Sequence, residues 1–223
     1  MYRTQLMKIC LLLFLSLLFA CKQSSNSTDN EARVLLHEDT LPFSPKKTKV
    51  QQEQPTSVED IQLAYKEIIA SYEKGTLDST SFKYNCNGEK SGTVTYFSAQ
   101  GKLKMIKHNY NEYDHHEMLD QYYVFENTLF FAHLKSLSWS FDSGPEGSTK
   151  DRITEKRIYL SAKSPIKCLE KQYEIRLHAG VNPNPESVPN KEVACTLTKS
   201  TIEKPFKLLT KYWKASPPNC LNE

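Results

Sequence analysis

The sequence predicts an α+β fold: an antiparallel meander β-sheet with an N-terminal helix and a short C-terminal helix. Three patterns carry this reading. Val58, Ile61, Tyr65, Ile68, Ile69 and Tyr72 recur at three- and four-residue steps, which lines one face of a helix. From residue 80, Tyr, Phe, Val, Ile and Thr alternate with polar residues in short runs separated by turns. Near the end, Phe206, Leu209 and Trp213 return to helical spacing.

The elements follow in chain order. Arg3 and Lys8 precede an apolar run from Ile9 to Ala20 that is broken only by Ser16. Twelve residues are too few to span a bilayer, which takes about 20, so residues 1–20 read as a signal peptide. Residues 21–56 are rich in Ser, Asn, Thr, Gln and Lys, with Pro42, Pro45 and Pro55 interrupting any period. They read as a tether, spanning roughly 30–35 Å as a flexible coil. Residues 57–223 form a single domain. Its first helix runs from about 57 to 74, with Thr56 and Glu59 at capping-box spacing and Lys74-Gly75 at its end.

Strands are expected at Phe82-Lys83-Tyr84, at Thr93 to Phe97 and at Leu103 to Ile106, with Ser98 to Lys102 as a hairpin loop between the last two. Related units recur at Tyr122 to Phe131 and Arg157 to Ile166, giving six to eight strands in all. Residues 140–150 and 179–191 read as long loops. Glu192 to Lys199 reads as a short strand holding Cys195. Ser200 or Thr201 caps the final helix, with Pro205 in its first turn.

Charge and cysteines bound the function. The 223 residues are 25% charged and 11% aromatic, a balance that excludes collagen, a wholly disordered chain and a multi-span membrane protein. Removing residues 1–20 takes away Arg3 and Lys8 and no acids, so the 29 basic residues become 27 against 26 acidic. No nucleic-acid partner and no long-range steering toward an acidic membrane are expected from so small a net charge. Four cysteines remain beyond Cys10 and Cys21: Cys86, Cys168, Cys195 and Cys220. An even set behind a signal peptide reads as two disulfides, with Cys86–Cys168 and Cys195–Cys220 the expected pairs. Their wide spacing lacks the close pairs of a zinc site.

The end of the apolar run, Leu18-Phe19-Ala20-Cys21, resembles a bacterial lipobox. The resemblance implies a diacylglycerol thioether on Cys21, cleavage after Ala20 and acylation of the new amine. Two or more acyl chains hold a protein on a membrane where one does not. In the sorting that goes with such lipoproteins, Lys22 rather than Asp after the cysteine implies the outer membrane, facing the periplasm or the outside. The Tyr-Phe, turn, Gly101-Lys102-Leu103 unit and its two relatives over roughly residues 90–170 are similar to MORN-like hairpin repeats of bacterial lipoproteins. That likeness implies an antiparallel meander and brings no catalytic residue.

Two places offer chemistry. His108, His115 and His116 lie in an acidic stretch with Glu112, Asp114, Glu117 and Asp120. Imidazoles and carboxylates suit Zn or Cu, but no His-Glu-x-x-His spacing occurs, and adjacent histidines point opposite ways on a strand. The stretch therefore reads as a solvated hairpin loop, and it is the seat of the alternative function, a small extracytoplasmic hydrolase or metal-dependent enzyme. Tyr122, Tyr123, Phe125, Phe130, Phe131 and Trp139 are dense. If members such as Tyr123, Phe125, Phe131 and Trp139 face solvent, they form a row for a peptide, glycan or envelope protein. No nucleophile elbow or phosphate loop is present, and no cofactor is expected. The reading is thus a lipid-anchored cell-envelope lipoprotein, held to the membrane through acyl chains on Cys21, whose domain binds or supports without catalysis.

Overall fold

The computed structural model describes residues 53–221. The signal peptide, Cys21 and the tether up to residue 52 lie outside the described residues. Residues 53–56 carry no regular structure, and Pro55 is buried.

Helix α1 spans Val58–Glu73. Ser57 is its N-cap, and its hydroxyl accepts from the Asp60 amide while the Asp60 carboxylate accepts from the Ser57 amide. The capping box is therefore one residue later than Thr56 and Glu59 predict. Both spacings exist in Thr56-Ser57-x-Glu59-Asp60, and the later one starts the helix at Val58, the first residue of its apolar stripe. At the far end Gly75 sits at φ +66°, a left-handed stop.

Eight antiparallel strands follow in strict meander order: β1 (Asp78–Cys86), β2 (Lys90–Ala99), β3 (Lys102–Glu112), β4 (His116–Phe125), β5 (Thr128–Phe141), β6 (Thr149–Leu160), β7 (Pro165–Arg176) and β8 (Lys191–Val193). Three hairpins turn at one end of the sheet. Gln100-Gly101 and Glu126-Asn127 both take two consecutive positive φ values, the two-residue turn that matches strand twist. Asn127 fills the place that glycine fills at 101. Each hairpin also carries an extra residue just after its turn, where pairing skips Lys104, Phe130 and Ile166. The bulge at Phe130 turns Phe130 and Phe131 toward the same face of the sheet.

Helix α2 (Lys199–Lys211) is capped by Thr198, whose hydroxyl accepts from the Thr201 amide, rather than by Ser200 or Thr201. Pro205 consequently falls in the second turn, where it removes one helical hydrogen bond at a cost of about 3 kcal/mol. Burial of Ile202, Phe206 and Leu209 offsets that cost.

The sheet has a helix on each face at its turn end, which gives two cores. Ile61, Ile68 and Tyr65 of α1 pack on Met105, Tyr123, Phe130, Phe131 and Tyr159. Residues Ile202, Phe206 and Leu209 of α2 pack on Tyr96, Ile106, Tyr122, Val124 and Ile158. Because both faces are buried here, Tyr122-Tyr123-Val124 reads as a continuous apolar run whose members alternate between the cores. No described helix is long and apolar enough to cross a membrane.

The disulfides differ from the expected pairs. Cys86 bonds Cys220, and Cys168 bonds Cys195. The first draws the tail along the edge of β1, where the Asn85 amide donates to the Asn219 carbonyl at 2.8 Å and Leu221 enters the α2 core. The second explains why β8 is only three residues long and excludes Cys195. Cys168 lies opposite Val193, so continued pairing would set Cys195 opposite Ile166, two residues away from its partner. The chain leaves the sheet after Val193 and the sulfurs meet. Two disulfides in the fold indicate an oxidising, extracytoplasmic location.

Candidate functional site

Beyond the reach of α2, the same face of the sheet carries a buried polar cluster. His108 on β3 and Asp120 on β4 are directly opposite each other, and each is 6% exposed. They are not in a solvated loop: the β3–β4 turn is confined to Tyr113, Asp114 and His115. Tyr84 Oη lies 2.9 Å from His108 Nε2, and the Tyr110 ring stacks on His108 at 4.2 Å between centroids. Asp120 Oδ2 accepts from Tyr122 Oη at 3.1 Å and, at a long 3.5 Å, from Tyr110 Oη. Asp120 Oδ1 is buried with no hydrogen-bond partner among the described residues.

Burial sets the charge states. It pushes the Asp120 carboxyl up to about 6, against the pull of the Tyr122 and Tyr110 hydroxyls. It pushes His108 down to about 3, with the Lys90 ammonium adding to the effect. Tyr84, Tyr110 and Tyr122 are all raised by burial, so they act as neutral donors. At neutral pH the cluster holds an uncharged imidazole beside a carboxylate with one oxygen unspent.

Gly92 makes room for it. A Cβ there would lie 2.7 Å from the Asn109 carbonyl oxygen and Tyr110 Cβ, and 2.9 Å from the Tyr84 ring. The neighbouring strand β3 and the Tyr84 ring together occupy the space a side chain would need, a close approach that only glycine allows.

A shallow cleft of about 540 Å³ opens over these same three strands. By register, Lys83, Asn85, Ser91, Thr93, Asn109 and Asn111 share the α1 side of the sheet, while Tyr84, Gly92 and Tyr110 belong to the other side. Asn219 adds the edge of the tail. The lining offers amides, hydroxyls and one ammonium. It contains no carboxylate and no imidazole, and neither His108 nor Asp120 reaches it.

The other predicted candidates are dispersed. His115 is exposed and leans on Trp139, with ring centroids 3.9 Å apart and the planes tilted by 41°, whereas His116 contacts Ser138 Oγ at 2.8 Å from the start of β4. Neither joins His108. Among the described residues, no three His, Cys, Asp or Glu side chains converge as metal ligands. The aromatic row is divided too. Tyr123 and Phe131 are in the α1 core and Phe125 packs against it, so they are not a solvent-facing row. Trp139 alone lies beyond both helices, its indole N–H donating to the Asp114 carbonyl and Phe141, 76% exposed, set edge-on to its ring.

One buried network was not anticipated. On the α1 face, Glu155 accepts from Tyr173 Oη at 2.9 Å and pairs with Lys171 at 3.3 Å and His133 at 3.2 Å. His133 Nδ1 reaches Gln121 Oε1, and Lys171 donates to the Pro185 carbonyl. Burial raises the Glu155 carboxyl, but the Tyr173 hydroxyl, Lys171 and His133 hold it below the usual range. Every charge here is answered inside the fold, the signature of a structural bridge between β5, β6 and β7. Its residues come from four successive strands, β4 to β7, and only their common parity marks them in the sequence.

No family model matches the chain, and comparison with curated proteins and with solved structures finds no match.

Proposed function

We propose that the protein is a lipid-anchored, extracytoplasmic envelope lipoprotein whose domain is a non-catalytic binding module. One observation carries the domain's role: the 540 Å³ cleft is lined by polar side chains that can hold a ligand, while the perturbed acid and imidazole lie buried away from it. Asn85 accepts from the Gly88 amide, but Ser91, Thr93, Asn109 and Asn111 make no side-chain hydrogen bond to the described residues, so their donors and acceptors remain for a ligand. Amides and hydroxyls of this kind suit an uncharged polar partner, a glycan or an extended peptide. The two disulfides support the compartment, and Leu18-Phe19-Ala20-Cys21 supports the anchor on Cys21 and the outer membrane as its seat.

The test is metabolic labelling with an alkyne palmitate in the native host. The proposal expects a labelled membrane protein that Cys21→Ser renders unlabelled and uncleaved. Label that survives the substitution rejects the assignment of Cys21. For the domain, the purified protein is offered simple oligosaccharides and peptides while the amide signals of residues 91–93 and 109–111 are followed by NMR. Shifts confined to those signals support the cleft, and shifts centred on His108 and Asp120 with turnover of an ester substrate support the hydrolase instead.

A further inference from the structure

We infer that the outer face of α2 is a docking surface for an anionic bilayer, which seats the domain against the membrane. That this membrane is the one holding Cys21 rests on the lipidation proposed above; the docking itself does not. The near-neutral total hides a strong local imbalance. Residues 199–214 hold five lysines and one glutamate, a net +4. The rest of the chain from residue 21 then holds 27 − 5 = 22 basic and 26 − 1 = 25 acidic residues, a net −3. Helix α2 and the three residues after it therefore carry a positive patch on a chain that is otherwise acidic from residue 21 onward.

The fold directs that charge outward. Ile202, Phe206 and Leu209 are buried in the sheet, so the opposite side of α2 faces solvent. Lys204, Lys207 and Lys211 recur there at three- and four-residue steps and are all exposed. The carboxylate of Glu203, the one acid in the helix, pairs with Lys207 at 2.8 Å and Lys199 at 3.4 Å and offsets one of their two charges, so the helix remains cationic after this pairing. The helix is fixed at both ends to the rim of the sheet. Lys199 donates to the Ser161 and Ala162 carbonyls of the β6–β7 turn, and Lys214 to the Gly101 carbonyl of the β2–β3 turn. This holds about 20 Å of helix flat along one end of the molecule.

Between the lysines runs a groove of about 380 Å³ floored by Pro205 and Leu208. Phosphates above and an apolar floor below match the headgroup zone of a bilayer, where lysine stems lie along apolar groups and their ammonium ends meet phosphate. An oxidising compartment holds lipid phosphate in abundance and little nucleic acid, so the bilayer is the occupant this face fits. The 31 residues between Cys21 and Glu53 give a contour of about 100 Å, long enough to let any face of the domain meet the membrane.

The experiment uses the mature chain with Cys21→Ser, so that no acyl chain contributes. It is co-sedimented with vesicles of 30 mol% phosphatidylglycerol in phosphatidylcholine at 50 mM salt. Each lysine near an anionic surface is worth about fivefold in partition, so K204Q/K207Q/K211Q should lower binding about 100-fold, and 0.5 M salt should abolish it. The triple variant must keep the parent far-UV circular dichroism and Tm, as expected for exposed side chains. Binding that is absent, that is equal on pure phosphatidylcholine, or that the triple variant retains overturns the inference. Failure here with continued acyl labelling of the native protein sinks the α2 surface and leaves the anchor standing; success here with no labelling does the reverse.

Discussion

Replacing Asp120 by Asn removes a buried charge, and the consequence is a change in how stability depends on pH. Folding raises the Asp120 carboxyl from its ordinary 3.8 to about 6. The neutral acid is the form the fold accepts, so this group's contribution is fully present below pH 3.8 and is lost as pH rises through 6. The difference of about 2.2 units corresponds to about 3 kcal/mol. His108 runs the other way. Its folded value of about 3 lies below the ordinary 6.5, so its contribution is present above pH 6.5 and falls by about 1.4 kcal/mol per unit on acidification.

Between pH 6 and 3.8 the two slopes oppose each other. The unfolded chain carries a protonated imidazole and a carboxylate; the folded chain carries a neutral imidazole and a protonated acid. Both states bind one proton at this pair, so its net contribution there is flat. In Asp120→Asn the compensating acid is gone and the His108 slope stands alone. The other titrating groups, His133 included, are common to both proteins and cancel in the difference. Urea unfolding of both proteins at pH 8, 7, 6, 5 and 4 measures this. The stability difference should shift by about 2.4 kcal/mol against the variant between pH 7 and pH 4, short of the full value because the unfolded carboxyl is already partly protonated at pH 4. Parallel curves would refute the buried carboxyl and the cancellation together.

Other consequences follow from single contacts. Cys86–Cys220 closes 134 residues and Cys168–Cys195 closes 27, so losing them should cost about 5 and about 3.5 kcal/mol; non-reducing peptide maps should show these pairs and no free thiol. Gly92→Ala should drive the Tyr84 ring off His108, costing about 2–3 kcal/mol and moving the His108 NMR titration toward its ordinary value. Glu155→Gln should strand the buried Lys171 ammonium and cost about 3–5 kcal/mol, seen as a lowered urea midpoint. His115→Ala with His116→Ala should shift the urea midpoint little, since neither side chain is in a core.

The local pattern made the architecture legible. A 3.6-residue stripe beginning at Val58 and period-two runs punctuated by Gly101 and Asn127 are one-dimensional signals, and α1 and the hairpins formed where those signals lie. Caps shifted by a residue or two, because Thr56 with Ser57, and Thr198 with Ser200 and Thr201, are neighbouring hydroxyls of similar capping strength. The cysteine pairs were not legible, since pairing depends on which strand the tail runs beside, and Asn219 chose β1. His108 and Asp120 looked like loop residues among charges. They are buried because β3 and β4 are long enough to put them in register beneath the tyrosines, and strand length beyond an apolar run is weakly written in sequence. The aromatic row failed as a surface for a related reason: two helices cover both faces, so a continuous run meant a doubly buried strand. Net charge concealed the lysines of α2, because a sum discards position.

The most direct measurement is the intact mass of the native protein extracted from membranes, taken without reduction. The account predicts a chain of 223 − 20 = 203 residues starting at Cys21, heavier by a diacylglycerol and an acyl group and lighter by the four hydrogens of two disulfides. A soluble product that keeps Met1, carries no lipid and accepts alkylating agent at four domain thiols would contradict it.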